Sequence, residues 1–173
     1  ENVIPQENIE ELMLLANEVT AGYMLSTQSP ALYRNHSKPD VAKLKGLLPF
    51  LNARHIDIRP EQLSRLRSKT VADIISQLSK FEHGDYLVPM ILSSLTQACY
   101  EPVNKGHFGL AYKHYCHFTS PIRRYPDLVV HRLLKSLENN EPPALSKINI
   151  EEIALHCTET EKKADDLEKK SET

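Results

Sequence analysis

The stretch Tyr115-Cys-His-Phe-Thr-Ser-Pro-Ile-Arg-Arg-Tyr-Pro-Asp-Leu-Val-Val-His-Arg132 decides how this chain is understood. Ser120 followed by Pro121 predicts a helix start, because a serine hydroxyl accepts an orphan N–H and proline needs no donor at the first helical position. Arg123 and Arg124 would then fall in the first turn. That is the unfavourable end for cations, since a helix N-terminus already carries roughly half a positive charge. The mismatch costs about 0.3 to 1 kcal/mol per solvated arginine and vanishes if an anion sits there. Free N–H groups beside a guanidinium fork suit a phosphate. A second reading stays open, in which both arginines turn to solvent or pair with acids elsewhere.

The order of residues says more. His117-Phe-Thr-Ser-Pro-Ile-Arg-Arg-Tyr-Pro-Asp-Leu128, followed by His131-Arg132, resembles the signature of the ribonuclease II / ribonuclease R family. Its members are processive 3′→5′ exoribonucleases with an RNB-type catalytic domain. Glu101-Pro-Val-Asn-Lys-Gly-His-Phe-Gly-Leu-Ala111 resembles the segment just upstream in the ribonuclease R branch. The resemblance implies that residues 1–173 are the C-terminal part of one such α/β catalytic domain, mainly helical here with a short β-pair. It implies that Arg123, directly after Ser-Pro-Ile, is the family's essential arginine and grips the scissile phosphate. Arg124 would supply positive charge, and Thr119 and Ser120 would donate to neighbouring phosphates.

Upstream, Gln6 to about Thr27 has helical periodicity, with Ile9, Leu12, Met13, Ala16, Val19 and Tyr23 recurring at three- and four-residue steps. Glu10 and Asn17 are seven apart and share a face. Ile9-Glu-Glu-Leu-Met-Leu-Leu-Ala-Asn17 is similar to the family's Ile-Glu-Glu-x-Met-x-x-Ala-Asn helix, although Val3-Ile-Pro-Gln6 replaces its usual Ala-His lead-in. The likeness gives Glu10 the task of telling RNA from DNA. A carboxylate only accepts hydrogen bonds, and a ribose 2′-hydroxyl can donate one. Ser29 to Pro39 is bounded by prolines and predicted extended. Its Leu-Tyr-Arg-x-His pattern resembles a family segment and makes Arg34, with His36, a candidate RNA contact.

Helices are expected over Asp40–Asn52, Pro60–Arg67, Val71–Ser79 and Asp85–Tyr100, all for core packing. Phe108–Ala111 and Tyr115–Phe118 suggest the short β-pair. Pro126 lies inside the helix pattern that begins at Ser120 and removes a backbone hydrogen bond, so a kink or a restart is expected near Tyr125. A last amphipathic helix from Asn149 buries Ile150, Ile153, Ala154 and Cys157. In the family it would lead toward a C-terminal OB-fold RNA-binding domain.

Bulk properties set the bounds. The net charge of −2 does not announce a nucleic-acid binder. Locally, six Lys/Arg against one acid between Lys105 and Lys135 offer a cationic surface to single-stranded RNA. Three cysteines without CxxC spacing argue against a disulfide framework or zinc site and suit a cytoplasmic protein. No apolar run approaches the ~18 residues of a membrane span. The absence of an initiator Met and the charged run at the other end predict a fragment.

In the family, an aspartate-rich motif in the first half of the domain holds magnesium in a two-metal arrangement. Asp165-Asp166, Glu151-Glu152 and Glu10-Glu11 are the close acid pairs here, and none lies in such a loop. The metal ligands are therefore expected to be outside this chain, with the missing N-terminal half and the flanking OB-fold domains as partners. His107, His114, His117 and His131 lack a tight ligand spacing, and His107 and His117 are expected to hold backbone instead. The expected function is part of an exoribonuclease releasing nucleoside 5′-monophosphates, inactive by itself. The alternative is a non-catalytic RNA-binding relative of the same fold.

Overall fold

The computed structural model describes residues 6–81 and 86–171. They divide into two compact units, one built from the described parts of Glu1–Asn35, Cys99–Gly106 and Tyr112–Thr173, the other from His36–Ala98 and His107–Ala111.

In the first unit, α1 (Gln6–Ser26) ends where Gln28 takes a positive φ of 53° and the Ser29 N–H reaches back to the Met24 carbonyl at 3.0 Å. This satisfies carbonyls that a helix end otherwise leaves open. The buried face of α1 is Asn17, Thr20, Ala21 and Met24. Much of the apolar stripe that gives the helix its periodicity faces out, with Leu12 63% and Val19 60% exposed, while Met13 and Ala16 are half-buried. Periodicity locates the most apolar stripe but not the face that a polar neighbour demands. Here that neighbour is the loop beginning at His114, which comes close enough that a Cβ on Gly22 would sit 2.8 Å from His114 Nε2.

β1 (Tyr33–Asn35) pairs antiparallel with β2 (Cys99–Glu101), with Arg34 opposite Tyr100. The expected extended segment contains β1. The β-pair itself lies elsewhere than expected: Phe108–Ala111 forms a turn, and the Tyr115 carbonyl accepts the Arg34 N–H at 2.9 Å without forming a strand. Cys99 and Tyr100, expected at the end of a helix, belong instead to β2. Tyr100 is an aromatic with high strand preference, and its ring is buried.

α5 (Tyr125–Glu138) starts five residues later than Ser120 predicted, with Pro126 in its first turn. A start at Tyr125 is the restart expected from Pro126, since proline is tolerated where the N–H has no helical partner. α6 (Lys147–Ser171) buries Ile150, Ala154 and Cys157, as its spacing predicts. These side chains join Met24, Leu32, Val129, Val130 and Leu133 in one core.

The second unit is helical. α2 (Val41–Asn52) is capped by Asp40, whose carboxylate accepts the Ala42 N–H at 2.9 Å, and it buries Leu44, Leu47, Leu48 and Leu51. Pro60–Arg65 is a 3-10 helix rather than an α-helix. α3 (Ser68–Leu78) and α4 (Leu87–Ser94) complete a core around Leu63, Val71, Ile74, Leu78 and Ile91. The expected helix start at Asp85 lies outside the described residues.

Candidate functional site

The arginine-bearing loop is anchored at both ends by buried polar side chains. Upstream, Asn17 Oδ1 accepts the N–H groups of Phe118 at 2.9 Å and Thr119 at 3.2 Å, while its Nδ2 donates to the Tyr115 hydroxyl at 2.9 Å. Downstream, Asp127 Oδ2 accepts the Ser120 N–H at 2.8 Å and the Arg124 guanidinium at 2.9 Å. Asp127 is fully buried. Ser120 thus contributes its backbone N–H to an acid, not a hydroxyl cap to a helix. Its carbonyl accepts the N–H groups of Arg123 and Arg124, closing a tight turn just before α5.

The turn separates the arginines. Arg124 occupies the position before the first helical residue and lies against Asp127. The acid in the first turn compensates a cation at the helix start, so the electrostatic conflict predicted for Arg124 is resolved internally. Arg123 is exposed. It opens onto a groove of about 760 Å³ that Tyr100, Arg124 and Tyr125 line with Ile153 and His156 of α6. Arg123 can therefore meet an anion at the edge of a partly apolar, aromatic-lined groove. Thr119 Oγ1 is buried and, like Asp127 Oδ1 and Arg124 Nε, meets no hydrogen-bond partner among the described residues.

Arg34 has a different setting. Its guanidinium forms a two-point pair with Glu161 of α6, one contact at 2.9 Å, and stacks 4.5 Å from the Tyr100 ring centre. Burial pushes the Tyr100 hydroxyl up to about 12, and this hydroxyl lies 2.8 Å from His117 Nδ1. Arg34→Ala should therefore lower stability by about 2 kcal/mol, between the values for exposed and buried pairs. Urea unfolding measures this. A change in RNA affinity at unchanged stability would instead make Arg34 a direct contact.

Glu10 is exposed on α1, on the same face as Asn17. His131 Nε2–H donates to the Phe118 carbonyl at 2.8 Å, and its ring stacks on Phe118 at 4.1 Å. His107 Nδ1 accepts the Leu110 N–H at 3.2 Å, the backbone role expected of it. Sequence reasoning passed over Asn17 and Asp127 as anchors. Two signals could have found them: an asparagine within a helix, where it is a poor former, and an acid three residues after an arginine.

Among the described residues, three carboxylates near the loop and the β-pair are engaged by other partners. Asp127 is taken by Arg124 and Ser120, Glu161 by Arg34, and Glu101 by Lys105 and Asn35. Among the described residues no three His, Cys, Asp or Glu converge as metal ligands. Magnesium needs several oxygen ligands in near-octahedral array.

The site thus sits on a mainly helical scaffold with a small antiparallel β-pair, its arginine turn anchored just before a helix. The family model described as RNB domain matches residues 1–140. The chain belongs to the RNB domain family. It is 36% identical over 163 residues to ribonuclease R of Buchnera aphidicola from Schizaphis graminum, covering 91% of this chain and 22% of that protein. It is 38% identical over 174 residues to ribonuclease R 1 of Lactococcus lactis, covering 98% of this chain and 21% of the relative. The chain thus spans about a fifth of the length of these curated relatives. In structure it is similar to Mycoplasma genitalium RNase R in complex with ribose-methylated single-stranded RNA, with TM-score 0.81, 29% identity, and coverage of 95% of this chain and 26% of that one.

Proposed function

We propose that this chain is the arginine-bearing part of a 3′→5′ exoribonuclease and acts within a longer polypeptide that also supplies the magnesium ligands. The observation that carries the reading is the turn held by Asn17 and Asp127, which leaves Arg123 as its exposed cation beside a groove. The family likeness to ribonuclease R supports it.

In this reading Arg123 holds the nonbridging oxygens of the scissile phosphate and stabilises the charge that builds there. A water oxygen joins phosphorus, the bond to the 3′-oxygen of the preceding nucleotide breaks, and that oxygen takes up the water's proton. The products are a nucleoside 5′-monophosphate and an RNA one nucleotide shorter. Glu10 accepts a hydrogen bond from a ribose 2′-hydroxyl, favouring RNA over DNA. Arg124 holds the turn, and its charge adds to the local attraction for the RNA backbone. The Thr119 and Ser120 N–H groups are held by Asn17 and Asp127, which leaves the Ser120 hydroxyl as the donor for a neighbouring phosphate, and Arg34 secures the β-pair to α6. We place the site in the cytoplasm.

The second reading is a non-catalytic RNA-binding relative, which differs from the first in whether the longer polypeptide supplies magnesium ligands. A 5′-labelled single-stranded oligoribonucleotide, incubated with the full-length polypeptide and magnesium, separates the two. Stepwise shortening from the 3′ end with release of 5′-monophosphates is expected. Binding without shortening would favour the second reading.

A further inference from the structure

We propose that Asn17 is a positioning residue that fixes the helix carrying Glu10 to the loop carrying Arg123, so that ribose selection and phosphate holding share one rigid frame. The inference rests on the function proposed above.

Asn17 is 3% exposed, in the interior of α1 where asparagine is a poor helix former. Its side-chain amide offers two donors and a two-lone-pair acceptor. Every group it meets lies on the one loop: the Phe118 and Thr119 N–H groups and the Tyr115 hydroxyl. Its own backbone carbonyl also accepts the Cys116 thiol at 3.4 Å. A side chain serving only to fill the core would be apolar at this position. What asparagine adds is direction, because each of these bonds fixes a loop group against the helix.

A second contact sets the same distance. A Cβ at position 22 would meet His114 Nε2 at 2.8 Å, so glycine there lets the His114 ring lie directly against α1. The segment from Thr119 to Arg123 is then held between Asn17 upstream and Asp127 downstream. Glu10 sits seven residues before Asn17 on the same face, about 10.5 Å away along the helix axis. The Asn17 bonds therefore set the register between the carboxylate and the arginine. Misplacing a reacting group by about 1 Å costs on the order of 10²-fold in rate.

The test is steady-state hydrolysis by the full-length polypeptide of an oligoribonucleotide and of its 2′-deoxy counterpart. Wild type, Asn17→Ala and Asn17→Asp are compared, with Tm recorded for each. Asn17→Ala is expected to lower kcat about tenfold or more while KM changes less than about threefold, and to weaken the preference for ribose. Asn17→Asp keeps the acceptor for both N–H groups and can accept from the Tyr115 hydroxyl, so it should recover most of the turnover. If Asn17→Ala does not fold, Tyr115→Phe carries the same two readouts. Unchanged kcat and ribose preference in an active enzyme would overturn the positioning role alone. Wild type that fails to shorten RNA would overturn the function on which it rests.

Discussion

Arg123→Ala in the full-length polypeptide is expected to lower RNA hydrolysis by about 10²–10³-fold, the usual consequence of deleting one donor to a charged transition state. Folding should be unaffected, because Arg123 is exposed and the turn is held by backbone groups and by Asp127. The loss should appear in kcat rather than in RNA affinity, since many other cations contribute to binding the backbone. Arg123→Lys should restore only part of the rate, because an ammonium carries the charge without the two-point fork. Single-turnover kinetics with saturating enzyme measure the effect. An unchanged rate would mean that the arginine does not touch the reacting phosphate.

Asp127→Ala is the second large effect, and it falls on the fold. The substitution leaves the Arg124 guanidinium without its ion-pair partner and the Ser120 N–H without an acceptor, in a place where Asp127 has no exposure at all. Removing one partner of a buried pair costs about 3–5 kcal/mol. The lower end is expected here, because the Arg124 side chain is 24% exposed. Urea unfolding monitored by circular dichroism should show the midpoint fall with little change in slope. Asp127→Asn keeps an acceptor for Ser120 and should lose less. A cost below about 1 kcal/mol for the alanine variant would mean that the pair does not hold the turn.

The helices were legible in the sequence because their signals are local. Asp40 caps α2, and the spacing of Ile150, Ala154 and Cys157 points α6 at its core. The failures share a cause. The buried face of α1 is chosen by Asn17 bonding to a loop about a hundred residues away, and no periodicity encodes such a partner. Ser120-Pro121 carries helix-start chemistry, yet α5 starts at Tyr125, because the Asp127 carboxylate captures the Ser120 N–H and closes a turn first. β2 was missed because its partner β1 is distant in sequence, and three-residue strands carry little pattern of their own. Arg123 and Glu10 came from motif wording, whereas the anchors Asn17 and Asp127 needed coordinates.

The central claim is that this chain brings the phosphate-holding arginine to a site whose metal ligands come from elsewhere in a longer polypeptide. It is tested most directly by incubating single-stranded RNA with magnesium and either this chain alone or the full-length polypeptide. The account predicts 5′-monophosphate release by the longer protein, loss of that release on Arg123→Ala, and no release by the chain alone. Magnesium-dependent release by the chain alone would contradict it.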